Sequence, residues 1–193
     1  VLMALLYGDQ PAGWDIAGKK EVIRRITRED IIGYRDKHYI APATAVVVAG
    51  DFDEKKINHL SGKIFSGMKH GHKVKKLKVK EKQSKPGTIV KFKESDQTHL
   101  VLGVRAFNVF DERRHALQVL GDVIGGGMSS RLFQKVRDEM GAAYYVGASN
   151  EPFTDHGYFE VAAGVDQKRT GEVVTAVLDE CKRLKKEAVS AEE

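Results

Sequence analysis

Arg137 and Tyr144 stand seven positions apart in the stretch GGGMSSRLFQKVRDEMGAAYYV, residues 125–146, and both side chains are hydrogen-bond donors. Whether they can act together depends on the backbone between them. Gly125, Gly126 and Gly127 leave the chain free to take positive φ and to approach another segment or a ligand closely. Ser129 or Ser130 can then cap a helix whose first amides lack acceptors. Leu132, Phe133, Val136 and Met140 fall on one face of that helix, which turns Arg131, Gln134, Lys135 and Asp138 outward. Arg137 lies near the C-terminal end, where the helix dipole favours a cation. Gly141 ends the helix, and Tyr144-Tyr145-Val146 opens a strand. A helix–turn–strand unit therefore brings Arg137 close to Tyr144. The same residues also suit a surface helix with a dipole-matched arginine and a strand tyrosine in a core. The glycine run is not a dinucleotide fingerprint, because it follows a helix and not a strand.

Other chemically capable residues are sparse. His70-Gly71-His72 offers two imidazoles in a flexible segment, without the further ligands a zinc site needs. Cys181 is the single cysteine, so an intrachain disulfide is excluded, and its place on an expected helix suits a small buried or half-buried thiol.

The elements that position these residues follow from pattern and punctuation. VLMALLY at the start reads as the tail of a helix, which leads us to expect that the native N-terminus lies further upstream. Gly8 to Gly18 is loop, with Trp14 and Ile16 expected to anchor it against the core, and Lys19 to Ile26 forms a short helical turn. Thr27 and Asp30 make the capping pattern of a helix from Arg28 to about His38. Thr44 to Ala49, TAVVVA, is a continuous apolar run that reads as a strand buried on both faces. A helix follows from Glu54 to about Met68. Beyond a lysine-rich stretch, Thr88–Lys93 and His99–Phe107 alternate as strands, and Asp111 can cap a helix from Glu112 to about Ile124. Tyr158–Val165 reads as a further strand, and Gln167 to about Lys186 as a last amphipathic helix. The order is that of an α+β fold: two-layer sandwiches with helices packed on antiparallel or mixed sheets. We divide the chain into a first unit at 1–68, a basic linker at 69–86 and a second unit at 87–193, itself expected to be truncated at its end.

Composition is ordinary for a globular protein, with 41% apolar and 31% charged residues. No apolar run approaches the ~20 residues of a membrane span. Lysines crowd Lys69 to Lys85, yet the run has no interleaved aromatics for base stacking, and a net charge of +5 is small. No nucleic-acid partner is expected, and no membrane span. The sequence carries no address; a soluble bacterial cytoplasmic setting is the working expectation.

Two separate stretches resemble one family. The Gly-rich turn, the SSRLFQ…R helix and the arginine–tyrosine pair resemble the second-domain signature of the inverzincin metallopeptidases: pitrilysin, insulin-degrading enzyme and mitochondrial processing peptidase. GWDIAG…ITREDI…HYIAP…AVVVAGDFD resembles the latter part of their first domain, in the same order. The resemblance covers nearly the whole chain. It implies that Arg137 and Tyr144 are catalytic residues that hold a substrate carbonyl and stabilise the oxyanion of a tetrahedral intermediate. Tyr145 is a competitor for that role; the spacing favours Tyr144, and Tyr145 is expected to be buried on the opposite strand face. Gly125, Gly126 and Gly127 occupy the place of a substrate-binding glycine loop, which competes with a plain tight turn. The family's zinc site needs H-x-x-E-H on one helix and a later glutamate. None of His38, His59, His70, His72, His99, His115 and His156 lies in such a motif. The resemblance thus implies a fragment of a zinc-dependent metallopeptidase that acts on peptide or protein substrates. Its zinc would be held by a missing N-terminal half or by a partner subunit, this chain itself binding no metal and being inactive alone. A non-catalytic partner or core subunit of the same fold is the alternative, and a homodimer is possible.

Overall fold

The computed structural model describes residues 1–190, in two compact units: Val1–Trp14 together with the chain from Lys78 onward, and Asp15–Leu77.

The first of these is built on a sheet. Strands β1 (Thr98–Arg105), β2 (Ala143–Pro152) and β3 (Gly157–Val165) are antiparallel in the order β1-β3-β2. β2 and β3 form a hairpin, and β1 pairs along the other edge of β3. Alternation decides which face is covered. Phe159, Val161, Ala163 and Val165 of β3 are buried, and Leu100 and Leu102 of β1 stand opposite Ala163 and Val161. Helix α5 (Arg113–Gly125) packs on β2. Helix α6 (Thr170–Lys186) packs on β1 and β3, and its Val173 and Val177 close the core with Ile124 of α5. Burying a side chain of this size contributes about 1.5–3 kcal/mol. Helices and sheet make two layers, the α+β arrangement the element order predicts.

Helix α1 (Leu2–Tyr7) belongs to this sheet-bearing unit. The Tyr7 hydroxyl donates to the Gly157 carbonyl at 2.6 Å, and Leu2 lies where a side chain at Gly103 would have to go. Burial, with Glu81 second, pushes the Tyr7 phenol up to about 12. A helix of six residues is marginal by itself; burial of Leu6 and Tyr7 gives this one its support. Part of the lysine-rich stretch is also fastened here. The Gln10 side chain donates to the Lys80 carbonyl and accepts from the Lys80 amide, both at 2.8 Å, and Arg105 Nη2 donates to the Gln83 carbonyl at 2.6 Å.

In the Asp15–Leu77 unit, α2 (Lys20–Arg25), α3 (Arg28–His38) and α4 (Glu54–Phe65) follow their local signals. Thr27 and Asp30 form the full capping box, whose hydrogen bonds hold the Asp30 carboxyl below its ordinary range. Asp53 accepts from the Lys56 amide at the start of α4.

Two expected strands do not form. Val46, Val47 and Val48 are exposed, Val47 at 87%, and Thr88–Lys93 is likewise irregular and open. A strand needs a neighbour for its amides and carbonyls, and among the described residues β1, β2 and β3 are the whole sheet. Trp14 and Ile16 are exposed instead of anchoring their loop; the Trp14 indole donates to Asp9 Oδ1 at 2.8 Å.

Candidate functional site

The unit that carries Arg137 and Tyr144 departs from regular structure three times, and each departure decides where a side chain points. The first is at the end of α5. Gly125 lies so close to the backbone of Gly147 and Ala148 in β2 that a Cβ would overlap it, so its lack of a side chain serves helix–strand packing. Gly127 faces open space. Ser130 does not cap the next helix as expected: its hydroxyl and amide both turn back to the Gly127 carbonyl, at 2.6 and 3.1 Å.

The second departure is the helix itself, which is π-helical over Phe133–Glu139. π turns are rare and are frequently found at functional sites. Leu132 and Val136 are fully buried, as the apolar face predicts. Arg131 is not turned outward. Its guanidinium pairs with Glu180 of α6 at 3.0 Å, and both side chains are about nine-tenths buried; Arg183 joins Glu180 at 3.0 Å. At the far end, Gly141 takes a left-handed φ of 57°, and the Arg169 guanidinium donates to the Met140 carbonyl at 2.7 Å. Arg137 is exposed, and its guanidinium lies over the Phe133 ring, 4.9 Å from the centroid.

The third departure is a β-bulge. Ala143 pairs with Val165 and Tyr145 with Gly164, which leaves Tyr144 as an extra residue without a partner on β3. Tyr144 is 62% exposed. It lines a cavity of about 250 Å³ with Asp96, Gln97, Thr98, Gln167 and Lys168. Tyr145 is not buried on the opposite face as expected. His99, Gly164 and Tyr145 form one row across the three strands, and the Tyr145 hydroxyl is hydrogen-bonded to His99 Nδ1 at 3.0 Å. Gly164 leaves the space that the Tyr145 ring crosses.

The π-helical segment packs on β2, so Arg137 and Tyr144 come from neighbouring elements. Among the described residues no hydrogen bond or ring contact joins them, and Arg137 is not in the cavity lining. Gln97, His99 and Gly164 escape the sequence reading. Gln97 and His99 share a parity near the start of β1, but the row they join depends on strand register. The residues present do not fit a zinc ion: among those described, no group of three His, Cys, Asp or Glu side chains could hold a metal. No helix among them is long and apolar enough to cross a membrane.

Comparison with known proteins was made by family, by sequence and by structure. The family described as the Peptidase M16 inactive domain matches residues 25–193. An uncharacterized zinc protease of Rickettsia felis is 37% identical over 159 residues, which are 82% of this chain and 38% of that protein. An uncharacterized zinc protease of Bacillus subtilis is 28% identical over 193 residues, all of this chain and 46% of that one. This chain thus spans less than half the length of these relatives. Among solved structures, the peptidase M16 inactive domain from Pseudomonas fluorescens superposes with a TM-score of 0.86 at 22% identity, over 99% of this chain and 46% of that one. A chain of complex III from Candida albicans superposes at 0.81 and 16% identity, over 99% and 47%.

Proposed function

The chain belongs to the M16 peptidase family, within its inactive domain, and from that premise we propose that it supplies the substrate-holding half of a zinc metallopeptidase centre. The zinc of that centre would be held outside this chain, in the remainder of a full-length protein or on a partner subunit. Arg137 and Tyr144 hold the carbonyl of the scissile peptide and donate to its oxygen as negative charge develops there. Donors aimed at developing charge bind the transition state more strongly than the substrate, and each typically contributes ~10²–10³ in rate. The observation that carries this reading is the bulge: it leaves Tyr144 exposed beside a cavity, next to an element whose arginine is also exposed. Gly127, which faces open space, is left to line the path of the substrate, while Gly125 and Gly126 are closed in by β2 and by Asp122. Residues 1–68 would be the C-terminal part of a first peptidase-like domain, 69–86 a linker, and 87–193 the second domain.

Arg137→Ala and Tyr144→Phe in the full-length protein test this. Peptide turnover should fall ~10²-fold or more with zinc content unchanged; unchanged turnover overturns the assignment. The second reading is a non-catalytic partner or core subunit. It is favoured by the word inactive in the family description and by the likeness to a complex III chain. Absence of peptide hydrolysis by the zinc-loaded full-length protein with its natural partner would select it.

A further inference from the structure

Two charged contacts hold the segment that carries Arg137. At its start, the Arg131 guanidinium meets Glu180 of α6 at 3.0 Å, with both side chains about nine-tenths buried. At its end, the Arg169 guanidinium donates to the Met140 carbonyl at 2.7 Å. Both anchors belong to one helix. Arg169 immediately precedes α6, and Glu180 lies three turns further on, roughly 16 Å along the axis. Each anchor is itself braced: Arg169 by Glu172 at 2.8 and 3.0 Å, and Glu180 by Arg183 at 3.0 Å. Arg137 lies between the two contacts, so α6 acts as a splint for the segment that bears it.

The apolar face alone does not orient such a segment. Between Arg131 and Met140 only Leu132 and Val136 are buried, and apolar burial is non-directional. A charge-assisted hydrogen bond has a preferred line and is the stronger kind. A buried ion pair is also a poor means to stability by itself, since apolar residues of similar volume often serve as well or better. What the pair adds is direction. We infer that Arg131 and Arg169 are positioning residues: by tying both ends of the π-helical segment to α6, they set where the Arg137 guanidinium stands against the substrate. The inference rests on the proposed substrate-holding role of Arg137. Neither residue touches the substrate; each acts through Arg137.

The test is a double-mutant cycle in the zinc-loaded full-length protein, read by peptide turnover and by urea unfolding. Arg131→Met combined with Glu180→Met nearly keeps the buried volume and removes the charges. The urea midpoint of this paired variant should match or exceed the parent's, while kcat falls about tenfold and KM stays within about twofold. Arg169→Met should lower kcat by about the same factor. In an Arg137→Ala background the same substitutions should change kcat by less than about twofold, because the group they position is gone. A merely structural contact would give the same loss in both backgrounds. The inference is overturned if either variant keeps the parent's kcat, if the paired variant fails to fold, or if the loss recurs in full in Arg137→Ala. If Arg137→Ala itself leaves turnover unchanged, or the full-length protein hydrolyses no peptide, the substrate-holding reading falls and this inference with it.

Discussion

The sheet-bearing unit and the Asp15–Leu77 unit use the same local signals to opposite effect. Helix α3 has a complete capping box and buries no residue; α6 has no side-chain cap and buries Val173, Val177 and Glu180. A cap decides where a helix starts, whereas a packed partner decides whether it joins a core. In one unit α6 and α5 close on three paired strands. In the other, the apolar run at Val46–Val48 has no strand beside it, and only Ile40 is a buried hydrophobic.

The contrast can be broken by cutting equal pieces from each unit. Leu132→Ala removes a fully buried side chain and should cost about 2–5 kcal/mol in urea unfolding. Ile31→Ala, at a position 62% exposed, should stay within about 0.5 kcal/mol; a loss there equal to that at Leu132 would show a core in the Asp15–Leu77 unit. Arg131→Met should cost about 1.5–3 kcal/mol, less than an isolated buried pair, because Arg183 still meets Glu180. In the other unit Thr27→Ala should cost about 1 kcal/mol, read as faster amide exchange confined to the first turn of α3.

The smallest effect is a pH slope in the sheet. Burial, with the Glu151 carboxylate second, holds Glu160 above the ordinary carboxylate range. As pH rises past ~4.3 the unfolded chain loses this proton first. Stability present below that pH is therefore lost as pH rises through the folded value. Glu160→Gln and the parent should share a urea midpoint below pH ~4, with the variant more stable at pH 7. A variant less stable at pH 7 would mean that Glu160 is held by a favourable partner instead.

What the sequence makes legible is what depends on near neighbours. Thr27 with Asp30, the strand alternation of residues 98–105 and 157–165, the amphipathic run of α6 and the turn at Gly141 can each be read within a few residues. Arg131 cannot, because its partner Glu180 lies 49 positions away. Tyr145 is open because of Gly164, a residue of another strand. Tyr144 is found by spacing to Arg137, but its lack of a partner is a property of pairing and not of composition. Thr44–Ala49 errs in the other direction: its residues are those of a buried strand, and burial depends on a neighbour that no described residue supplies.

The bulge also has a consequence for how this chain can change by loss of residues. Deleting Tyr144 would leave Ala143 and Tyr145 adjacent, opposite Val165 and Gly164, which are already adjacent. The ladder would be made regular without moving its register on either side. Shortening β2 anywhere beyond the bulge would instead throw its remaining side chains to the wrong face. A relative that lacks Tyr144 could therefore keep the sheet, so the length of this strand marks which relatives carry the bulge.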